Sequence, residues 1–433
     1  MIKNNDFLNK NEYILRNGHV IDPKNNIDKV CDIAVKDGKI INIDNVASDC
    51  TEFDMSGKVI TPGLIDVHVH LRQPGNTAAE TIKTATMAAA AGGFTTVVSM
   101  PNSSPVADNP GTIEYILRNV EEHAIVKVLP SGAMTKNIAG KEMAGIGGLK
   151  KSGIVAVTDD GRCIQNHSLM KNIVEYSKQF SLPVMDHCEE ETFANGGVMN
   201  EGKWSVLLGM KGIPGISEEI IIARDIMISR DVDWKIHCQH ISSANSVDLL
   251  RFARQKNIKI SAEVTPHHIS LTDENIKKFD TNYKMNPPLR SENDRMALIK
   301  GLQDNTITII ATDHAPHTET AKLVEFDYAP FGIIGLETAV SVCLTELYHK
   351  EHLTLSQLVA KFTTGPAELL GLNIGSLEVG QAADITIMDV NKAVTIDKHN
   401  MKSKSRNTPF HGKECQGAVV ATIVDGKFVY ENM

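Results

Sequence analysis

The feature that most constrains the fold is a regular alternation of short apolar runs with helix-like segments through the middle of the chain. Eight runs are typical of buried parallel strands because they are nearly continuous in apolar residues. They are Gly63–His70, Thr95–Met100, Ile125–Gly132, Ile154–Asp159, Pro183–His187, Trp234–Ile241, Ile258–Thr265 and Thr306–Thr312. Eight strands alternating with helices over about 300 residues predict an α/β fold, a (β/α)8 TIM barrel. A doubly wound sheet is the alternative, but no G-x-G-x-x-G motif follows the first strand.

The two ends of the chain have a different texture, with short strands joined by Gly and Asp turns. The dipeptides Asp37-Gly38 and Asp425-Gly426 are typical of tight hairpins. We therefore predict a small β-sandwich domain formed by both termini, residues 1–60 and 373–433. These two pieces flank a catalytic barrel of residues 61–372.

Charge and composition exclude several classes of protein. The 433 residues include 44 Lys and Arg against 53 Asp and Glu, a formal net charge of −9, which disfavours a nucleic-acid partner. The sequence contains no run of about 18 apolar residues, which is the length needed to span a bilayer. The first ten residues lack the apolar core of a signal peptide, and the seven Cys imply no disulfide framework. We therefore predict a cytoplasmic protein with neither a membrane nor a nucleic-acid partner.

Histidine and aspartate occur where the predicted strands end. His68 and His70 lie on one face of the first strand because side chains alternate along a strand, and two imidazoles there can bind Zn²⁺. Four further strand ends carry such residues, in Thr158–Gly161, Met185–Glu189, His237–His240 and Thr312–His317. TIM barrels build their active sites at the C-terminal ends of the strands. The sequence therefore predicts one metal-dependent catalytic site at this end of the barrel.

These strand-end sequences resemble the amidohydrolase superfamily and, within it, the bacterial class I dihydroorotase family. The similar stretches follow the family order through the whole barrel: DVHVHLRQPG (66–75), MPN (100–102), TDDG (158–161), MDHCE (185–189), HCQHIS (237–242), MNPPLR (285–290), TDHAPH (312–317) and PFGIIGLET (330–338). The flanking stretches VITPGLID (59–66) and GSLEVGQAADITIMD (375–389) resemble the superfamily's β-sandwich domain.

The resemblance implies a metal centre and a catalytic base. The implied ligands are His68, His70, Asp160, His187, His240 and Asp313. They would hold Zn²⁺, two ions per subunit bridged by Asp160, where many relatives use a carboxylated lysine. Which of the adjacent Asp159 and Asp160 bridges is left open. Asp313 would also take a proton from the metal-activated water that attacks the ring amide, and deliver it to the leaving nitrogen.

The resemblance further implies the substrate and its contacts. The reaction would be the reversible hydrolysis of (S)-dihydroorotate to N-carbamoyl-L-aspartate, whose cyclisation direction serves de novo pyrimidine synthesis. This substrate carries a carboxylate, and the guanidinium of Arg72 suits a bidentate contact with it. The implied substrate-binding residues are His70, Arg72, Asn102, Asn286, His317, Phe331 and Gly332.

Two alternative functions stay open at this stage. Hydantoinases, dihydropyrimidinases and allantoinases use the same metal centre on a neutral ring, but Arg72 and the lack of a lysine at the end of strand four favour dihydroorotase. A non-catalytic partner of aspartate transcarbamoylase would lack the metal ligands, which are intact here. Association of an active chain with aspartate transcarbamoylase, and formation of a homodimer, are also left open.

Three connecting segments complete the predictions. Thr318–Ala329 is polar and has no clear period, so we predict a lid that folds over bound substrate. Phe193–Ile216 is predicted to be a rigid connection. The basic stretch Lys402–Arg406 is predicted to be a solvated loop.

Overall fold

The computed structural model describes residues 11–432, so the prediction made for the first ten residues lies outside the described part of the chain. Within residues 11–432, no helix combines the length and the apolar character needed to cross a membrane.

The middle of the chain forms the predicted TIM barrel. Its eight parallel strands are Leu64–Val69, Phe94–Ser99, Lys127–Pro130 with its continuation Gly132–Ala133, Val157–Thr158, Val184–Asp186, Ile236–Cys238, Ile260–Val264 and Ile309–Ile310. Each strand pairs in parallel with the next one along the chain. The ring closes where Val69 pairs with His314 and the backbone N–H of His70 donates to the His314 carbonyl at 2.9 Å. The predicted barrel is therefore confirmed, with shorter strands than the apolar runs.

Helices surround the barrel. The longer ones are Ile82–Ala91, Pro110–His123, Ile146–Lys151, His167–Lys178, Lys203–Leu208, Ile216–Val232, Ala244–Gln255, Glu292–Gln303, Leu355–Phe362 and Thr364–Leu370. Shorter ones are Glu191–Ala194, Pro266–Ser270, Glu319–Lys322 and Ala339–Cys343, the last continuing as the π-helix Leu344–Tyr348. The first helix begins at Ile82 because the Thr81 hydroxyl caps it, accepting from Thr84 N at 3.1 Å.

Both ends of the chain contribute strands to one mixed sheet. These strands are Glu12–Asp22, Ile27–Lys36, Lys39–Ile41, Thr51–Asp54, Val59–Pro62, Ile385–Thr395, Glu414–Val424 and Lys427–Glu431. Both predicted hairpin turns are present, with positive φ at Asp37, Gly38, Asp425 and Gly426. The hydroxyl of Tyr13 donates to the Gly426 carbonyl at 2.9 Å, so the two ends of the sheet meet over a shared apolar core. The domain boundaries at residues 60 and 373 stay predictions.

One connection of this β domain returns to the barrel mouth. We call residues Met401–Phe410 the strap. The prediction of a solvated loop at Lys402–Arg406 is wrong, because Ser403 and Ser405 are buried, although Lys402 and Lys404 beside them are exposed. Ser403 Oγ donates to Glu80, and Ser405 Oγ donates to the Ala79 carbonyl at 2.7 Å. Buried Ser and exposed Lys side chains alternate along this stretch. An alternation of every second residue is typical of an extended segment that lies on a surface.

The two long loops at the barrel mouth are structured. Thr318–Ala329 contains the short helix Glu319–Lys322, and the buried ammonium of Lys322 donates to the carbonyls of Thr281, Lys284 and Pro330. Phe193–Ile216 contains a helix and a short parallel strand pair. The lid function of the first loop stays a prediction.

Candidate active site

The structure brings the six sequence-predicted ligands together at the C-terminal end of the barrel. Asp160 lies at the centre of the group. Its Oδ1 is 3.2 Å from His68 Nε2, and its Oδ2 is 3.4 Å from His70 Nε2. The same carboxylate lies 3.7 Å from both His187 Nδ1 and His240 Nε2. Four imidazoles from the ends of strands one, five and six therefore surround one carboxylate, which follows strand four.

Asp313 completes this cluster from the end of strand eight. Its Oδ1 lies 3.0 Å from His70 Nε2 and 3.5 Å from His68 Nε2. Within this cluster, two groups have ligand atoms close enough to share a metal ion, His68–Asp160–His240 and His68–His70–Asp313. His68 Nε2 is fully buried and makes no hydrogen bond within residues 11–432, although it faces both carboxylates. A buried imidazole nitrogen aimed at two carboxylates fits a bound cation.

Burial and opposite charges act together on the titration of the cluster. Burial alone would raise the pKa of Asp160 and of Asp313, but the neighbouring histidines hold both pKa values below the ordinary range. Burial opposes protonation of His187, yet hydrogen bonds to Asp160 and Glu189 raise its pKa to about 10. Both aspartates are therefore ionised at neutral pH, which is the state that binds a metal or accepts a proton.

The adjacent aspartates Asp159 and Asp160 face different surroundings. Asp159 accepts from the backbone N–H groups of Met134 at 2.8 Å and Thr135 at 2.9 Å, and from the Thr135 hydroxyl. Its carboxylate thereby joins strand four to the end of strand three. The structure brings Asp160 into the histidine cluster and leaves Asp159 outside it.

Glu263 is a site residue that the sequence reasoning missed. It lies on strand seven with no exposed surface, where its carboxylate accepts from His68 Nδ1 at 2.6 Å and from His237 Nε2 at 3.0 Å. Burial raises its pKa, but the two histidines lower it to about 2. The bond to Nδ1 directs His68 Nε2 into the cluster. A charged residue within a predicted buried strand was the signal that could have identified it.

Asp66 is a second missed residue, two positions before His68 on the same face of strand one. It accepts from the Thr312 hydroxyl at 2.5 Å and from the backbone N–H groups of Thr312 and His68. This carboxylate connects the strand that carries the first ligands with the strand that ends in Asp313. Asp313 and His240 both have positive φ, 48° and 30°, which costs free energy and is typical of functional sites.

A cavity of about 230 Å³ lies directly over the cluster. All seven predicted substrate-binding residues line it, together with Asp160, Gly161, His187, His240, Asp313 and Ala315. Its volume suits a ligand smaller than a drug-sized molecule. A neighbouring cavity of about 530 Å³ shares Gly161, Asn286 and Phe331 with it and is lined by parts of both long loops.

The polar groups of the small cavity are oriented by specific hydrogen bonds. Asn102 Oδ1 lies 2.9 Å from His70 Nδ1, which leaves the Asn102 amide N–H groups available. Arg72 Nε donates to the Pro316 carbonyl at 3.1 Å and thereby holds the guanidinium at the cavity wall. Asn286 Oδ1 is buried and has no hydrogen-bond partner among residues 11–432. His317 Nε2 donates to the Phe331 carbonyl at 2.8 Å.

Family models and known relatives are similar to this chain over nearly its whole length. Residues 57–246 match the dihydro-orotase-like family, and residues 232–430 match the amidohydrolase family. The chain is 47% identical to the dihydroorotase of Acetivibrio thermocellus, over 96% of this chain and 98% of that protein. It is 48% identical to the dihydroorotase of Endomicrobium trichonymphae, over 95% and 98% of the two chains.

Solved structures show the same architecture at lower sequence identity. The L-hydantoinase (dihydropyrimidinase) from Arthrobacter aurescens superimposes with a TM-score of 0.88 at 23% identity, covering 98% of this chain and 97% of that one. The dihydropyrimidinase from Brevibacillus agri gives a TM-score of 0.85 at 22% identity, covering 97% and 95%. These similarities establish the fold. The substrate has to be inferred from the residues of the site.

Proposed function

The chain belongs to the dihydroorotase family of amidohydrolases, and on this premise we propose that its barrel-mouth cluster carries out the family's reaction. That reaction is the reversible hydrolysis of (S)-dihydroorotate to N-carbamoyl-L-aspartate, and cyclisation is its direction in de novo pyrimidine synthesis. The observation that carries the proposal is one small cavity lined both by the guanidinium of Arg72 and by the cluster around Asp160. A cyclic amide and its carboxylate can occupy it together.

We propose that the cluster holds two Zn²⁺ ions bridged by Asp160. His68, His70 and Asp313 would bind on one side, and His187 and His240 on the other. Imidazole and carboxylate ligands suit zinc, and the central carboxylate supplies the bridging anion. Bound zinc supplies two kinds of chemistry, lowering the pKa of a water towards neutrality and polarising a carbonyl oxygen.

Asp313 is the proposed catalytic base and acid. Its carboxylate is ionised at neutral pH because His68 and His70 outweigh the effect of burial on its pKa. It would take a proton from the attacking water and then donate it to the ring nitrogen that leaves. The connection of Thr312 to Asp66 and the 3.0 Å contact with His70 hold this carboxylate in place.

Arg72 and Asn102 are the proposed partners of the substrate carboxylate. The guanidinium offers paired N–H donors, and Asn102 offers the amide N–H groups that His70 does not use. Burial, and then the charge of Arg72, lower the pKa of His317 to about 3, so this ring is neutral. The ring N–H of His317 already donates to the Phe331 carbonyl, so contact with an anion would require this hydrogen bond to break. The unpaired oxygen of Asn286 is the proposed acceptor for a ring N–H.

Loss of ultraviolet absorbance during ring opening of dihydroorotate tests the proposed function. Dihydrouracil, hydantoin and allantoin serve as matched substrates because they lack the carboxylate that Arg72 would bind. We expect turnover of dihydroorotate and little turnover of the neutral rings. Hydrolysis of a neutral ring without hydrolysis of dihydroorotate would assign the site to a different cyclic amide.

The proposal also includes a homodimer, an association with aspartate transcarbamoylase and a cytoplasmic location. The two assemblies rest on the family resemblance, and the location rests on the cysteine usage and on the lack of a signal-peptide core in the first ten residues. Light scattering of the purified chain, alone and mixed with aspartate transcarbamoylase, tests the two assemblies. A monomer that does not change mass in the mixture would reject both.

A further inference from the structure

One side chain of the strap contacts both segments that form the substrate side of the cavity. Asn407 is 3% exposed. Its Nδ2 donates to the carbonyls of Ala315 at 3.0 Å and Gly332 at 3.1 Å, and its Oδ1 accepts from the backbone N–H of His317 at 3.1 Å. Its own carbonyl accepts from Ile334 N at 2.9 Å. Every polar group of the Asn407 side chain therefore has a partner in the barrel.

The two segments joined by Asn407 are packed very closely. Ala315 N donates to the Ile333 carbonyl at 2.7 Å. Gly332 has φ of 116°, and a Cβ atom placed there would lie 2.6 Å from the Cβ of Ala315. Only glycine fits this position. Because the two segments are in such close contact, a small shift of either one displaces the backbone that carries Phe331 and His317.

The chemistry of these contacts requires an amide. Two carbonyls need donors and one N–H needs an acceptor, all within reach of one short side chain. An aspartate would match the shape but would place a carboxylate against the carbonyls of Ala315 and Gly332. A smaller apolar residue would leave three buried backbone groups without partners.

We propose that Asn407 is a positioning residue for substrate binding, contributed to the active site by the β domain. It holds His317 and the Phe331–Gly332 backbone at the distance from Arg72 that the substrate requires. This inference rests on the proposed function. It gives the C-terminal part of the chain a role in recognition, in addition to packing against the barrel.

The inference predicts a specific kinetic effect. The histidine cluster and Asp313 are held by other contacts, through Asp66, Thr312 and Glu263. Loss of Asn407 should therefore raise KM for dihydroorotate by about tenfold to a hundredfold, the range for leaving buried polar groups unpaired. It should leave metal content unchanged and kcat within about threefold of wild type, because the groups that move protons stay in place.

The test compares Asn407→Asp and Asn407→Ser with Ser405→Ala in the full-length chain. Ser405 is a matched control, because it belongs to the same strap, is also 3% exposed and donates one buried bond, but to Ala79 outside the cavity. Steady-state kinetics, metal content and melting temperature are measured for each protein. We expect Ser405→Ala to lower the melting temperature without changing KM, and the Asn407 variants to change KM.

Each possible outcome either supports or overturns the proposed role of Asn407. Wild-type KM in a folded Asn407 variant would overturn it, and so would an equal change of KM in Ser405→Ala. Asn407→Ser replaces the amide with a smaller uncharged hydroxyl and supplies the kinetic result if Asn407→Asp does not fold. Wild-type turnover is measured first, so that failure to open dihydroorotate rejects the proposed function separately. The KM comparison would then be made on whichever ring the wild type hydrolyses.

Discussion

Replacement of Glu263 by glutamine should weaken metal binding, although Glu263 is not a predicted ligand. Folding lowers the pKa of Glu263 from 4.5 to about 2, which corresponds to about 3 kcal/mol in favour of the buried carboxylate. Glutamine keeps the shape and removes the charge that orients His68. Loss of such an orienting carboxylate typically costs about tenfold to a hundredfold in metal affinity.

Competition for Zn²⁺ with a chromophoric chelator measures this affinity in Glu263→Gln. The matched control is Glu218→Gln, another buried glutamate, which accepts from the backbone N–H groups of Ser242 and Ser243 at 3.0 Å. We expect Glu218→Gln to lower the denaturation midpoint and to bind zinc like wild type. Wild-type zinc affinity in Glu263→Gln, or an equal loss in the control, would refute the reasoning.

The lowered pKa of Glu263 also determines how the stability of the fold changes as the pH falls. A carboxylate whose pKa is lower in the folded state stabilises the fold above its unfolded value of 4.5 and loses this contribution as pH falls towards 2. The apoprotein of Glu263→Gln should therefore lose less stability between pH 4.5 and pH 2 than wild-type apoprotein. Denaturant titrations at these pH values measure the difference, and parallel curves would contradict it.

Three further predictions concern base catalysis, substrate charge and pH. Asp313→Asn should lower kcat by about a hundredfold or more while most zinc is retained, and a nearly active variant would refute its role as base. Arg72→Lys should raise KM for dihydroorotate by about tenfold or more, and wild-type KM would refute the bidentate contact. Burial lowers the pKa of Lys322 from 10.5 to about 7, so the unfolded chain binds more protons between these values. Wild-type stability should accordingly gain about 2 kcal/mol relative to Lys322→Met between pH 7 and pH 9 in denaturant titrations, and a constant difference would contradict this.

Local patterns predicted the parts of this protein that depend on local physics. The apolar runs predicted the barrel strands because burial on both faces requires continuous apolar sequence. Asp37-Gly38 and Asp425-Gly426 predicted their turns because both residues must adopt positive φ. The ends of parallel barrel strands lie at the same face, which predicted one site there, and the family resemblance implied its six ligands.

The boundaries of the elements were harder to predict. Strand four ends at Thr158, so alternation could not tell which of Asp159 and Asp160 would face the cluster. Within the strap, the stretch Lys402–Arg406 was interpreted as solvated because charged residues dominate its composition. Its buried serines have their partners in Ala79 and Glu80, more than 300 residues earlier in the chain.

The sequence by itself therefore determined the barrel, the turns and the residues proposed to act on the substrate. Only the tertiary structure decided what holds those residues in place. Glu263 meets His68 across 195 residues, and Asn407 meets Gly332 across 75. No local period encodes such pairings, because a buried polar group is satisfied by whichever chain segment the fold brings beside it.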